Sequence, residues 1–145
     1  MFSALLDTCV LWPNLQRDFL LVLAIEGLYR PLWSEAILAE LSYTERAKLQ
    51  RRGVRDASAR AARLISHMRT AFDDAMVTGW EPLVGTYGFP DPDDEHVIAA
   101  AVVGGAGAIV TSDKAFRRFE LPNGIDALTP AEFAFNTVQL NPIVA

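Results

Sequence analysis

Two short apolar runs far apart in the chain are each followed by an acid. Residues 2–7 read Phe-Ser-Ala-Leu-Leu-Asp, and residues 108–113 read Ala-Ile-Val-Thr-Ser-Asp. A short, continuous apolar run fits a strand buried on both faces of a sheet, although period alone does not separate it from buried helix. Between and after these runs, apolar residues recur at helical spacing. Strands that alternate with helices imply an α/β domain with a mostly parallel central sheet. In such sheets functional groups gather outside the carboxyl ends of the strands. Asp7 and Asp113 occupy that position.

The remaining segments fill in the architecture. Trp12-Pro13-Asn14 breaks the first run. Residues 15–26 place Leu15, Phe19, Val22 and Leu23 on one helical face, and Gly27 is a natural stop. Residues 28–32 form a short strand that Pro31 limits to an edge or an end. Ser34 is an N-cap for a helix over 35–49 with Ile37, Leu38, Leu41 and Leu49 on its apolar face. A second helix over roughly 56–74 turns Ala61, Leu64, Ile65, Met68 and Phe72 inward and its arginines outward. Residues 76–80 are a weak strand candidate. Residues 82–93 hold three prolines and two glycines and read as a loop. Asp93 or Asp94 then caps a helix over 95–103 that stops at Gly104-Gly105. Residues 108–111 are a buried strand and a short helical turn follows Asp113. The last helix starts at Thr129, with Pro130 at its first position and Glu132 in capping-box register. No repeat or linker interrupts the pattern, so residues 1–145 read as one domain.

Hydrophobic residues make up 51% of the 145, enough for a full core. The single cysteine, Cys9, excludes an internal disulfide framework and fits a reducing cytoplasm. The N-terminal segment lacks a basic region and carries Asp7, so it reads as a strand and not as a signal peptide. No apolar run approaches the roughly 20 residues of a membrane span. The net charge of −5 argues at first against an anionic partner, but its distribution is uneven. Residues 46–69 carry eight basic groups against Asp56 alone, a net +7; the other five basic and 17 acidic groups give −12. A local field of this kind, more than net charge, steers an anionic ligand.

The acids Asp7, Glu40, Asp91, Asp93, Asp94, Glu95 and Asp113 sit near the ends or along the core edges of these elements. Each alone has a plainer reading: a turn former, an N-cap or a solvated helix residue. Together they suggest a carboxylate pocket. Two unit charges at about 4 Å repel by about 4 kcal/mol at an effective dielectric near 20, so such a pocket calls for a divalent cation, and oxygen-only ligands suit Mg²⁺ or Mn²⁺. His67 and His96 lack a second His or Cys at ligand spacing and read as structural or surface residues. The three tryptophans are scattered and read as buried. A haloacid-dehalogenase-like phosphatase also begins with a strand ending in Asp, but its chemistry needs a second Asp where this chain has Cys9.

The segments LLDTCVL, SEAILAEL, DPDDEHVIAAAVVGGAGAIVTSDKAF and LTPAEF resemble those of the PIN-domain family, in the branch of VapC-type toxins. The resemblance covers nearly the whole chain and is most specific over DPDDEHVIAAA and AIVTSD. It implies a three-layer α/β/α fold with a central, mostly parallel sheet and a metal-dependent endoribonuclease. The family's acids correspond to Asp7, Glu40 and Asp113. The third acid corresponds to Asp94, which directly precedes the helix, with Glu95 or Asp91 as alternatives. Asp7, Asp94 and Asp113 would hold one or two Mg²⁺ or Mn²⁺ ions, with Glu40 completing the charge cluster. Arg46, Arg51, Arg52 and Arg55 would hold the RNA backbone, their plainer role being a solvated face. Many members have Asn where this chain has Cys9, which bears on a local polar contact. A small antitoxin partner follows from the resemblance, as does the option of homodimerisation. The alternative is a PIN-fold module that binds RNA or a protein partner without turnover.

Overall fold

A computed structural model describes residues 1–140. Four strands, β1 (Ser3–Leu6), β2 (Arg30–Leu32), β3 (Ala108–Val110) and β4 (Asp126–Leu128), form one sheet in the order β2-β1-β3-β4. All three pairings are parallel. Ala4, Leu5 and Leu6 of β1 and all of β3 are fully buried, as central strands covered on both faces must be. Pro31, which has no N–H for a ladder, sits on the edge strand β2.

Seven helices among the described residues complete the α/β/α arrangement: α1 (Thr8–Leu11), α2 (Asn14–Ile25), α3 (Glu35–Arg51), α4 (Ala57–Ala71), α5 (Glu95–Gly104), α6 (Lys114–Arg118) and α7 (Pro130–Leu140). Local chemistry fixes their ends. The Ile37 N–H donates to Ser34 Oγ at 3.2 Å and starts α3. Before α7, Thr129 N donates to Glu132 Oε1 at 2.9 Å and Glu132 N to Thr129 Oγ1 at 3.1 Å, the reciprocal pair of a capping box. α5 is buried from Val97 to Ala101, and it packs on β1 and β3. Its small alanines allow that close approach, and Gly105, at φ +70°, ends it in the left-handed region.

Several expectations need correction. Residues 8–11 form a short helix capped by Asp7. Of the expected face of α2, only Leu23 is buried; Leu15, Phe19 and Val22 are exposed, while Arg17 and Leu20 face inward. The reason is polar. Arg17 Nη1 donates to Leu11 O at 3.0 Å and its Nη2 to Asn14 Oδ1 at 3.2 Å, which rotates the helix toward that side. The 76–80 candidate is reduced to an isolated parallel bridge between Trp33 and Met76. β4 was not foreseen, because a three-residue strand that begins with an exposed Asp gives no apolar run. Of the tryptophans, Trp33 is buried, Trp80 is half-buried and Trp12 is exposed. Among the described residues no helix is long and apolar enough to cross a membrane.

Candidate acidic site at the strand ends

β1 and β3 lie side by side, so their carboxyl ends bring together residues more than 100 positions apart. The Asp7 N–H donates to Val110 O at 3.1 Å and closes the ladder at that end. The Asp7 carboxylate accepts from Thr8 N at 2.8 Å, from Thr111 Oγ1 at 2.9 Å and from Cys9 Sγ at 3.4 Å. Thr111 Oγ1 in turn accepts from Asp113 N at 3.0 Å. One hydroxyl thus ties the two strand-end acids together. Burial raises the Asp7 pKa above the ordinary carboxylate value, and its three hydrogen bonds offset only part of that rise; Glu40 adds a further upward push.

Cys9 occupies a polar position. Its thiol lies 3.4 Å from Thr111 Oγ1 and accepts from Ser112 N at 3.3 Å. Burial, then the charge of Asp7, push its pKa up to about 11. It therefore stays a neutral thiol that can donate to Asp7. The local contact that the residue type put in question is made by sulfur.

Asp113 caps α6 through Ala115 N, which donates to its Oδ1 at 2.9 Å. Glu40 projects from α3 and its Oε1 lies 2.9 Å from His96 Nε2 on α5. The His96 bond lowers the Glu40 pKa against the opposing effect of burial. Burial would lower His96 as well, but Glu40, Asp7 and Asp94 together hold it above its ordinary value. Its Nδ1 is buried without a hydrogen-bond partner among the described residues, and the ring stands 6.0 Å from that of Trp80. His96 was read as structural or peripheral. Its place two residues after Asp94 was the one signal that could have put it in the site.

Asp94 precedes α5 without a side-chain capping bond. Burial, then Asp91, Asp7, Asp113 and Glu40, push its pKa up to about 6. The charges of all the principal candidate acids therefore act on this one carboxyl. Asp91 is exposed and accepts from Asp93 N at 3.0 Å, which shapes the turn before α5. Glu95 needs correction as an alternative metal ligand. It is 3% exposed, and its two oxygens accept from Gly85 N at 2.7 Å, Tyr87 N at 3.1 Å and Phe89 N at 3.2 Å. Burial opposes its ionisation, yet these bonds leave its pKa lowered. It anchors the loop over residues 85–89.

A second correction concerns spacing. Among the described residues no group of three or more His, Cys, Asp or Glu side chains is placed to hold a metal ion. The expected bowl of carboxylates in mutual contact is replaced by acids of which Asp7, Glu40, Asp91, Glu95 and Asp113 have each taken a hydrogen-bond donor. The donor set still suits a hard divalent ion, because it offers oxygens and a field of converging negative charge that a cation would relieve.

The basic segment divides in two. Lys48 is buried against Glu45 at 2.9 Å, Arg60 and Arg63 lie 3.0 and 3.6 Å from Asp56, and Arg69 lies 2.6 Å from Glu35. Arg46, Arg51, Arg52 and Arg55 are exposed, and no carboxylate pairs with them among the described residues. A groove of about 530 Å³ runs between α3 and α4, and none of the candidate acids Asp7, Glu40, Asp94 or Asp113 lines it.

The PIN domain family model matches residues 3–115. The match begins with β1 and ends just after Asp113. Neither a curated protein nor a solved structure matches the chain.

Proposed function

The chain belongs to the PIN-domain family, and on that premise we propose that it is a metal-dependent endoribonuclease, the VapC-like toxin of a toxin–antitoxin pair. PIN domains are generally metal-dependent nucleases that act on RNA. The observation that carries the reading is the field at Asp94. Burial is the largest cause of its raised pKa, and Asp91, Asp7, Asp113 and Glu40, drawn from four parts of the chain, all add to it. Structural acids are usually kept apart or paired with cations, and convergence of this kind marks a site.

In this reading Asp7, Asp94 and Asp113 hold one or two Mg²⁺ or Mn²⁺ ions, in part through water. When bound, such an ion supplies Lewis-acid stabilisation of charge on the phosphate and activates the attacking water. Thr111 and Cys9 keep the Asp7 carboxylate turned toward the strand ends. Glu40, held by His96, orients the water and takes its proton as the oxygen bonds to phosphorus. The bond from phosphorus to the leaving ribose oxygen breaks, and solvent protonates that oxygen. Arg46, Arg51, Arg52 and Arg55 bind backbone phosphates. The partners are RNA, a small antitoxin that covers the acids and a second copy of the chain, and the compartment is the cytoplasm. The rival reading is a module that binds RNA or a protein without cutting.

Cleavage of defined RNAs with and without Mn²⁺ separates the two. Asp7→Asn is expected to lower metal-dependent cleavage by on the order of 100-fold or more while the fold stays intact, since the amide oxygen can still accept from Thr8 N and the amide nitrogen can donate to the Thr111 hydroxyl. Wild-type cleavage in a carefully purified Asp7→Asn protein removes Asp7 from the mechanism. Binding without cutting by the unmodified chain supports the module.

A further inference from the structure

α3 carries an aromatic side chain one turn beyond Glu40. Helical residues three apart are neighbours, with Cβ atoms about 5–6 Å apart, so Tyr43 stands beside Glu40. Its side chain is 67% exposed, whereas Tyr29 is buried. An exposed aromatic alone says little, but the Arg46 guanidinium lies over one face of the Tyr43 ring, 5.7 Å from its centroid, and has no carboxylate partner among the described residues. Beyond it α3 ends in Arg51 and Arg52, also exposed and unpaired. Thr44 and Ala47, both small and half-buried, share the Glu40 stripe of the helix.

We infer that Tyr43 is a stacking platform for one base of single-stranded RNA, with Arg46 binding the adjoining phosphate. An aromatic face beside unpaired arginines is the usual means of gripping a single strand, because every base offers a π-face and the backbone is anionic. A duplex buries those faces in its own stack. The inference rests on the reading that the neighbouring acids act on RNA, and it adds a base contact on α3 to that reading.

The test is binding of a short labelled oligoadenylate to the full chain in EDTA, which stops turnover. Tyr43→Ala is expected to weaken binding about tenfold, with no change in the slope of log K against log salt. Tyr43→Phe keeps the face and should bind like the wild type. Arg46→Ala should flatten the salt slope by about 0.7. Binding of an RNA duplex should not respond to Tyr43→Ala. Unchanged oligoadenylate binding by Tyr43→Ala overturns the platform, as does equal weakening by Tyr43→Phe or the absence of any binding by the wild type. Asp7→Asn run in parallel with Mn²⁺ keeps the two readings apart. If it loses cleavage while Tyr43→Ala binds normally, the nuclease stands and the platform falls. If the wild type never cuts but Tyr43→Ala binds tenfold more weakly, the platform stands on a non-cutting module.

Discussion

Asp7 receives three hydrogen bonds and Asp113 one, but no N–H or O–H among the described residues bonds the Asp94 carboxylate. Burial and like charge therefore act on Asp94 unopposed and place its pKa at about 6. The sign of the consequence is fixed. A carboxyl whose pKa is raised in the folded state binds more protons there than in the unfolded chain, so its contribution to stability falls as pH rises from about 4 through 6. Asp94→Asn should remove that fall and stabilise the protein in EDTA at pH 7 by about 1 kcal/mol, a figure discounted for solvent screening at this half-buried position. Urea unfolding of both proteins at pH 4.5 and pH 7 checks it; parallel stability curves would refute the assignment. Asp7 and Asp113 were legible as candidates from sequence because each follows an apolar strand. The Glu40–His96 contact was not, since 56 positions separate the two and only the packed fold brings α3 to the start of α5.

The corner between α1 and α2 is held by buried ions. Arg17 Nη1 donates to Leu11 O, and Lys48 Nζ donates to Trp12 O at 3.2 Å and to Asn14 Oδ1 at 2.8 Å. These bonds satisfy carbonyls at and just after the end of α1 that no helical N–H can reach. Glu45, 5% exposed, lies 2.9 Å from Lys48 and 3.9 Å from Arg17 and offsets part of their charge, with Asp18 4.0 Å from Arg17. Removing it leaves two buried cations, so Glu45→Ala should cost about 3 kcal/mol, read as a lower urea midpoint; a midpoint equal to the wild type would show that the cations reach water. The same corner explains where reading by apolar period failed. α2 has two apolar stripes, and the one with Leu15, Phe19 and Val22 matched the helical period but lost to the side that carries Arg17. Caps were the more dependable signal, because Ser34, Thr129 and Glu132 act on their own backbone and need no distant partner. Short edge elements lie at the other extreme: β4 is a strand only because β3 lies beside it.

Across the molecule, charge is sorted twice. Sequence separates a basic stretch from an acidic remainder, and folding then pairs Lys48, Arg60, Arg63 and Arg69 internally. What is left near the end of α3 is a small group of arginines whose field points outward. If they hold an RNA backbone, Arg51→Ala with Arg52→Ala should weaken RNA binding and reduce the salt slope by about 1.4, the contribution of two phosphate contacts to a single strand. An unchanged slope would place the RNA path on another surface. The parallel pairing of β1 with β3 has a consequence in time as well as in space. During translation Asp7 and Glu40 are made first, and Thr111 follows 71 positions after Glu40. A polypeptide that stops short of β3 thus carries Asp7 and Glu40 without the strand that gathers the acids, so the site cannot assemble before β3 has been made.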